Sequence, residues 1–140
     1  MPRSGPAGMA QPADELRAGH GGVAMPGREA LTFELEASEG ADVVRFGGEL
    51  DLTTLAGLDE AVGRTTARIV ILDLTGIEFV DSAGLHAIDR VNRLLAAGRR
   101  RLLLVAPPDS RAGWTLRVAG FGDGLALESV ERARALADDR

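Results

Sequence analysis

Cysteine is absent from the 140-residue chain, which excludes disulfides and thiolate metal sites. Histidine is nearly absent: with only His20 and His86, an imidazole zinc cluster would need carboxylates to supply its remaining ligands. Neither a metal nor another cofactor is therefore expected. An excess of positive charge is missing too. The formal net charge is −5, whereas a nucleic-acid binder normally carries a basic footprint, so no direct nucleic-acid partner is expected. The run Arg99-Arg100-Arg101 does not alter this, because a turn leading into a strand is commonly charged. No apolar run approaches the ~18 to 20 residues of a membrane span, and the first residues lack the apolar core of a signal peptide. The expectation is a cytoplasmic protein without membrane insertion.

What is present falls into two parts. Residues 1–29 are dominated by Gly, Pro, Ala and isolated charges. They cannot bury enough surface to offset the entropy of ordering, so they are read as a disordered tail, and residues 30–140 as one domain. Leu31, Phe33 and Leu35 alternate with Thr32, Glu34 and Glu36, the pattern of a half-buried strand. A polar turn at Ser38-Glu39-Gly40 leads to Val43–Phe46, a second strand ending at Gly47-Gly48, and the short connection predicts an antiparallel hairpin. Asp51-Leu52-Thr53-Thr54 then opens a helix, with Thr53 or Thr54 as its cap and Leu55, Leu58, Ala61 and Val62 at helical spacing.

Arg68–Leu74 is a third strand whose unbroken apolar run predicts burial on both faces. A short loop and a helix from Ser82 to Ala97 follow, the helix stopping at Gly98. Leu102–Val105 is a fourth strand. Asp109 or Ser110 caps a helix through Val118 that is stopped by Gly120, and Trp114 on it reads as core or partial core. Leu125–Leu127 is a short fifth strand, and Glu128 or Ser129 opens a last helix. Strands alternating with helices after a hairpin predict an α/β fold: a mixed sheet of four to five strands, antiparallel then parallel, with about four helices.

The segment from Val70 to Leu85 is the most informative. It places a serine where a helix begins, among backbone N–H groups that lack intrahelical acceptors. Such a serine either caps the helix or carries an anion such as phosphate against those donors. On the helical wheel Leu85, Ile88, Val91, Leu94 and Leu95 form the core stripe, while Ser82, His86, Asp89, Arg90 and Arg93 gather on the other side. Gly84 is a poor helix residue, destabilising by about 0.5 to 1 kcal/mol relative to Ala. It either lets a partner approach the backbone beside Ser82 or relieves crowding against a neighbouring strand.

Gly48-Glu49-Leu50-Asp51, the run Val70–Asp73 and Asp81-Ser82-Ala83-Gly84-Leu85 together resemble the STAS domain (sulphate transporter and anti-sigma-factor antagonist), above all the soluble bacterial anti-sigma-factor antagonists. The resemblance covers residues 31 to about 137. It implies a STAS-like fold and a non-enzymatic switch. In that family the unmodified antagonist binds an anti-sigma factor that is also a serine kinase, and so frees a sigma factor. Phosphorylation at the position matched by Ser82 releases the antagonist, and a metal-dependent serine phosphatase restores it. Asp51 and Asp81 match acidic positions near the contact surface. Together with the exposed face read above, the candidate partner contacts are Asp51, Thr53, Asp81, Ser82, Gly84, His86 and Arg93, with Ser82 as the phosphorylation site. The competing reading is a STAS partner subunit of a lipid-transport ATPase or another complex, without phospho-switching.

A hydrolase built on Ser82 and His86 is disfavoured. The nucleophile elbow Gly-x-Ser-x-Gly is absent, and only Asp89 or Arg90 is placed to orient His86. No catalytic residue is assigned. Asp73 reads as a strand-end carboxylate. Gly120–Gly124 lacks the Lys-Ser/Thr of a phosphate loop and reads as a turn.

Overall fold

The computed structural model describes residues 20–21, 30–121 and 126–138. Its six strands are β1 (His20–Gly21), β2 (Leu31–Ala37), β3 (Ala41–Leu50), β4 (Ile69–Val80), β5 (Arg101–Val105) and β6 (Ala126–Leu127), and they lie side by side in chain order. The helices are α1 (Leu55–Gly63), α2 (Ser82–Ala97), α3 (Arg111–Val118) and α4 (Val130–Asp138). The β1/β2 and β2/β3 pairs are antiparallel, and β3/β4, β4/β5 and β5/β6 are parallel. This is the mixed sheet expected from the alternation of patterns, with four long strands and a two-residue strand at each edge. His20 and Gly21, inside the segment read as a tail, pair with Thr32 and Leu31. The rest of residues 1–29 lies outside the described residues.

The two faces of the sheet carry two cores. Val70, Leu72 and Leu74 of β4 pack with Leu58 of α1, Ile88 and Val91 of α2 and Leu116 of α3. Ile69 and Ile71, pointing the other way, pack with Ala133 and Ala137 of α4. Coverage on both sides is why β4 begins as an unbroken apolar run. At the end of the sheet where the parallel strands begin, the loop into β4 is clamped from two directions. The buried Asp42 carboxylate accepts the N–H groups of Thr66 (2.8 Å) and Ala67 (3.0 Å). Arg100 donates to Ala67 O (2.8 Å) and to Thr65 Oγ1 (2.9 Å).

Several boundaries differ from the sequence expectation. The second strand does not end at Gly47-Gly48 but runs through it to Leu50. Gly48 takes φ +101°, and a Cβ there would lie 2.1 Å from Ala30 O, so the glycines mark an irregularity inside the strand. The third strand likewise continues past Leu74 to Val80, leaving no loop before α2. Gly98 ends α2 at φ −91°, and the left-handed residue is Arg99 at φ 61°.

Two side chains expected inside are outside. Leu94 is exposed, because the inward stripe of α2 is Gly84, Ala87, Ile88, Val91 and Leu95, and Leu94 sits ~100° from Leu95 around the axis. Trp114 is 60% exposed, since α3 turns Ala112, Gly113 and Leu116 to the core. Of Gly120–Gly124, Gly120 takes φ +89° as a helix stop, and residues 122–124 lie outside the described residues.

Candidate functional site

The site is built where β3 and β4 end together. Register pairs Glu49 with Phe79 and Leu50 with Val80, so the chain leaves both strands side by side, into the β3–α1 loop and into α2. Asp81 fastens this junction. Its backbone is extended (φ −98°, ψ −177°), and one carboxylate oxygen accepts Gly84 N–H at 2.9 Å, capping α2. The other accepts Leu52 N–H at 3.4 Å, reaching the neighbouring loop. Asp81 N–H donates to Leu50 O (3.2 Å), and Asp81 O accepts Leu85 N–H (3.0 Å).

The choice left open for Ser82 is thereby resolved on its structural side: Asp81 is the cap, and Ser82 is the first helical residue. Ser82 is exposed, and its hydroxyl takes no hydrogen bond among the described residues. Gly84 is enclosed, because a Cβ would lie 2.5 Å from Leu50 O and 3.1 Å from both Leu50 Cγ and Val80 Cγ1. It relieves crowding at the crossing of α2 with the strand ends and presents no surface of its own.

Asp51 is also inside, 1% exposed, with its Oδ1 accepting Thr53 N–H (2.8 Å) and the Thr53 hydroxyl (2.6 Å). Thr54 flanks α1 without a side-chain cap bond; its Oγ1 donates to Glu49 O (2.8 Å) and accepts Asp51 N–H (3.0 Å). These bonds make the β3–α1 loop a tight, internally tied turn. Thr53 is exposed on it.

His86 is exposed one turn after Ser82. Arg93 shares that face but stands ~16 Å from Ser82 along the axis, in an ion pair with Asp89 (2.9 Å). Arg90 holds Asp59 of α1 at 2.6 Å. Both candidates for orienting His86 are therefore engaged with other partners. Asp81, Ser82 and His86 are brought together with Thr53 at one pole, and Arg93 is not.

Two exposed apolar residues at this junction were not foreseen: Leu52, 72% exposed, whose N–H bonds Asp81, and Phe79, 42% exposed, two residues before Asp81 in β4. The signal for Phe79 is in the spacing. Leu74, Ile77 and Val80, the buried residues of the outer half of β4, recur every third residue instead of every second. That departure from strand alternation leaves Phe79 outside. The Glu36 carboxyl sits below its usual range because Arg45 hydrogen-bonds it (2.7 Å) and Arg134 attracts it, and the Arg45 guanidinium is raised by the same contact.

The STAS domain family matches residues 32–132, and the chain belongs to that family. It is similar to the anti-sigma-F factor antagonist RsfB of Mycobacterium tuberculosis, 36% identical over 67 residues that make up 46% of this chain and 55% of that protein. The chain thus spans about half the length of the curated relatives it matches. An anti-sigma factor antagonist from Mycobacterium paratuberculosis has the same fold, with a TM-score of 0.69 at 22% identity over 79% of this chain and 96% of the other. So does the anti-sigma factor antagonist SpoIIAA in its unphosphorylated form, at TM-score 0.60 and 23% identity over 78% and 98%. The phosphorylated form of SpoIIAA, described as a Bacillus cell fate determinant, gives 0.55 at 24% identity over 75% and 98%. No described helix is long and apolar enough to cross a membrane.

Proposed function

We propose that this chain is an anti-sigma-factor antagonist whose Ser82 pole docks on a serine-kinase anti-sigma factor, frees a sigma factor, and is released when that kinase phosphorylates Ser82. One observation carries the reading: an exposed serine hydroxyl without a hydrogen-bond partner among the described residues, at a junction where Leu52 of the loop bonded by Asp81 and Phe79 near the end of β4 are also exposed. The apolar pair supplies area that a partner would bury, at about 25 cal/mol per Å². The similarity to RsfB, and the existence of SpoIIAA in phosphorylated and unphosphorylated forms, support the same role.

In the transfer step the Ser82 oxygen forms a bond to the γ-phosphorus of ATP, the β–γ anhydride bond breaks, ADP leaves, and the hydroxyl proton passes to a base of the kinase. A serine phosphatase would reverse the modification by hydrolysis. The new group adds about −1.5 to −2 charges. At ~6 Å and an effective dielectric of ~20, one like-charge pair costs about 3 kcal/mol before salt screening, enough for a hundredfold loss of affinity. Refolding is not required, since the first turn of a helix tolerates negative charge.

The test compares Ser82→Ala and Ser82→Asp for binding to the cognate kinase by calorimetry, alongside intact-mass analysis of the wild type after incubation with kinase and ATP. The expected outcome is tight binding by the alanine variant, at least tenfold weaker binding by the aspartate variant, and a gain of ~80 Da, one phosphate group, that the alanine variant lacks. Equal affinities with no mass gain would favour a subunit of a larger complex, such as a lipid-transport ATPase, that does not switch.

A further inference from the structure

We propose that His86 is the side chain that hydrogen-bonds the phosphoryl group carried by a phosphorylated Ser82, and that its proton content sets how negative the modified pole becomes. This rests on the reading of Ser82 as the modified residue. The two positions are four residues apart in α2, which places their Cβ atoms ~5 to 6 Å from each other on one face. Side chains on a helix lean toward its N-terminus, so the imidazole covers the turn that Ser82 begins. Both residues are exposed, and His86 has no partner among the described residues.

The other basic side chains of α2 are committed elsewhere, Arg90 to Asp59 of α1 and Arg93 to Asp89. The charged groups at the ends of β3 and β4 and in the loop that meet here are acidic: Glu49, Asp51, Glu78 and Asp81, while Arg45, further back on β3, is bound to Glu36. Asp51 and Asp81 already accept backbone N–H groups. Among the described residues, a phosphoryl oxygen at this pole therefore meets one titratable donor, the imidazole ring. Imidazole and the second ionisation of phosphoserine both change state between about pH 5 and 8. Each favours the charged form of the other. A dianion beside a neutral ring leaves the pole most negative, whereas a monoanion facing an imidazolium cancels within the pair and leaves only the surrounding carboxylates.

The experiment uses the full chain with phosphoserine encoded at position 82, so that it needs no kinase, and follows the phosphorus resonance by NMR from pH 4.5 to 8. The second phosphoryl ionisation is expected about 0.5 unit lower in the wild type than in His86→Gln, the size of one charge acting over ~6 Å through water. His86→Lys, which keeps a cation there, should retain the lower value. Coincident midpoints in the wild type and His86→Gln would overturn the proposal. Should the kinase leave Ser82 untouched in the mass measurement above, the switching role would fail while this titration still reported on the ring.

Discussion

Single atoms decide much at the Ser82 pole. At Gly84 the missing Cβ lets α2 rest on Leu50 O, and adding it would force a 2.5 Å contact with backbone. Gly84→Ala should therefore destabilise the fold by about 1 to 3 kcal/mol. That outcome runs against alanine's better helix propensity of about 1 kcal/mol. Urea unfolding of the two proteins checks it, and a more stable variant would show that the contact relaxes freely. Trp114 is the sole tryptophan and lies mostly in solvent. Its fluorescence in the native protein should be quenched by acrylamide almost as efficiently as in urea. A well-protected indole would place α3 differently.

Among elements, the clamp on the loop into β4 has a measurable worth. Asp42→Ala leaves the N–H groups of Thr66 and Ala67 to water, and the loss of each such hydrogen bond costs about 0.5 to 1.5 kcal/mol net. A fall in the urea midpoint without a change of slope is expected. The sequence exposed some elements and hid others for definable reasons. Helix α2 could be read from end to end, because Asp81, Ser82 and Gly84 precede a strong 3.6-residue period and Gly98 closes it. The ends of β3 and β4 could not, because their length is fixed by each other across the sheet, through paired irregularities at Gly47 and Gly76. Periodicity also told that α2 and α3 each have an inner stripe without telling where it is centred; that is set by the sheet beneath. Hence periodicity alone assigns Leu94 to the core and Trp114 to the core or its edge, and both are exposed. At the site, Asp81, Ser82 and His86 are legible from spacing, and Phe79 is marked by the three-residue recurrence in β4, but Leu52 emerges only once the β3–α1 loop is seen beside Asp81.

For the whole molecule, one carboxylate links the hairpin to the far helix. Glu36 of β2 binds Arg45 of β3 (2.7 Å) and Arg134 of α4 (2.8 Å). Its folded-state ionisation lies below the ordinary 4.5, so its contribution is complete above that value and fades as pH falls through the lower, folded one. Acid unfolding of Glu36→Gln should thus lose part of the wild type's pH slope below about 4.5, by a modest amount since all three side chains are solvated. Equal slopes would mean that α4 is held by its apolar contacts alone.

Asp81 acts on a similar scale, since it serves two connections at once. Serine, threonine, asparagine and aspartate all start helices well, so α2 by itself does not dictate which of them stands there. A carboxylate, however, offers an acceptor in two directions, whereas an amide of the same shape has one acceptor and turns a donor toward whatever lies opposite. With Gly84 on one side and Leu52 on the other both supplying hydrogens, an asparagine at this position could satisfy either crossover but not the pair. The identity of this amino acid is a requirement of the loop it does not belong to.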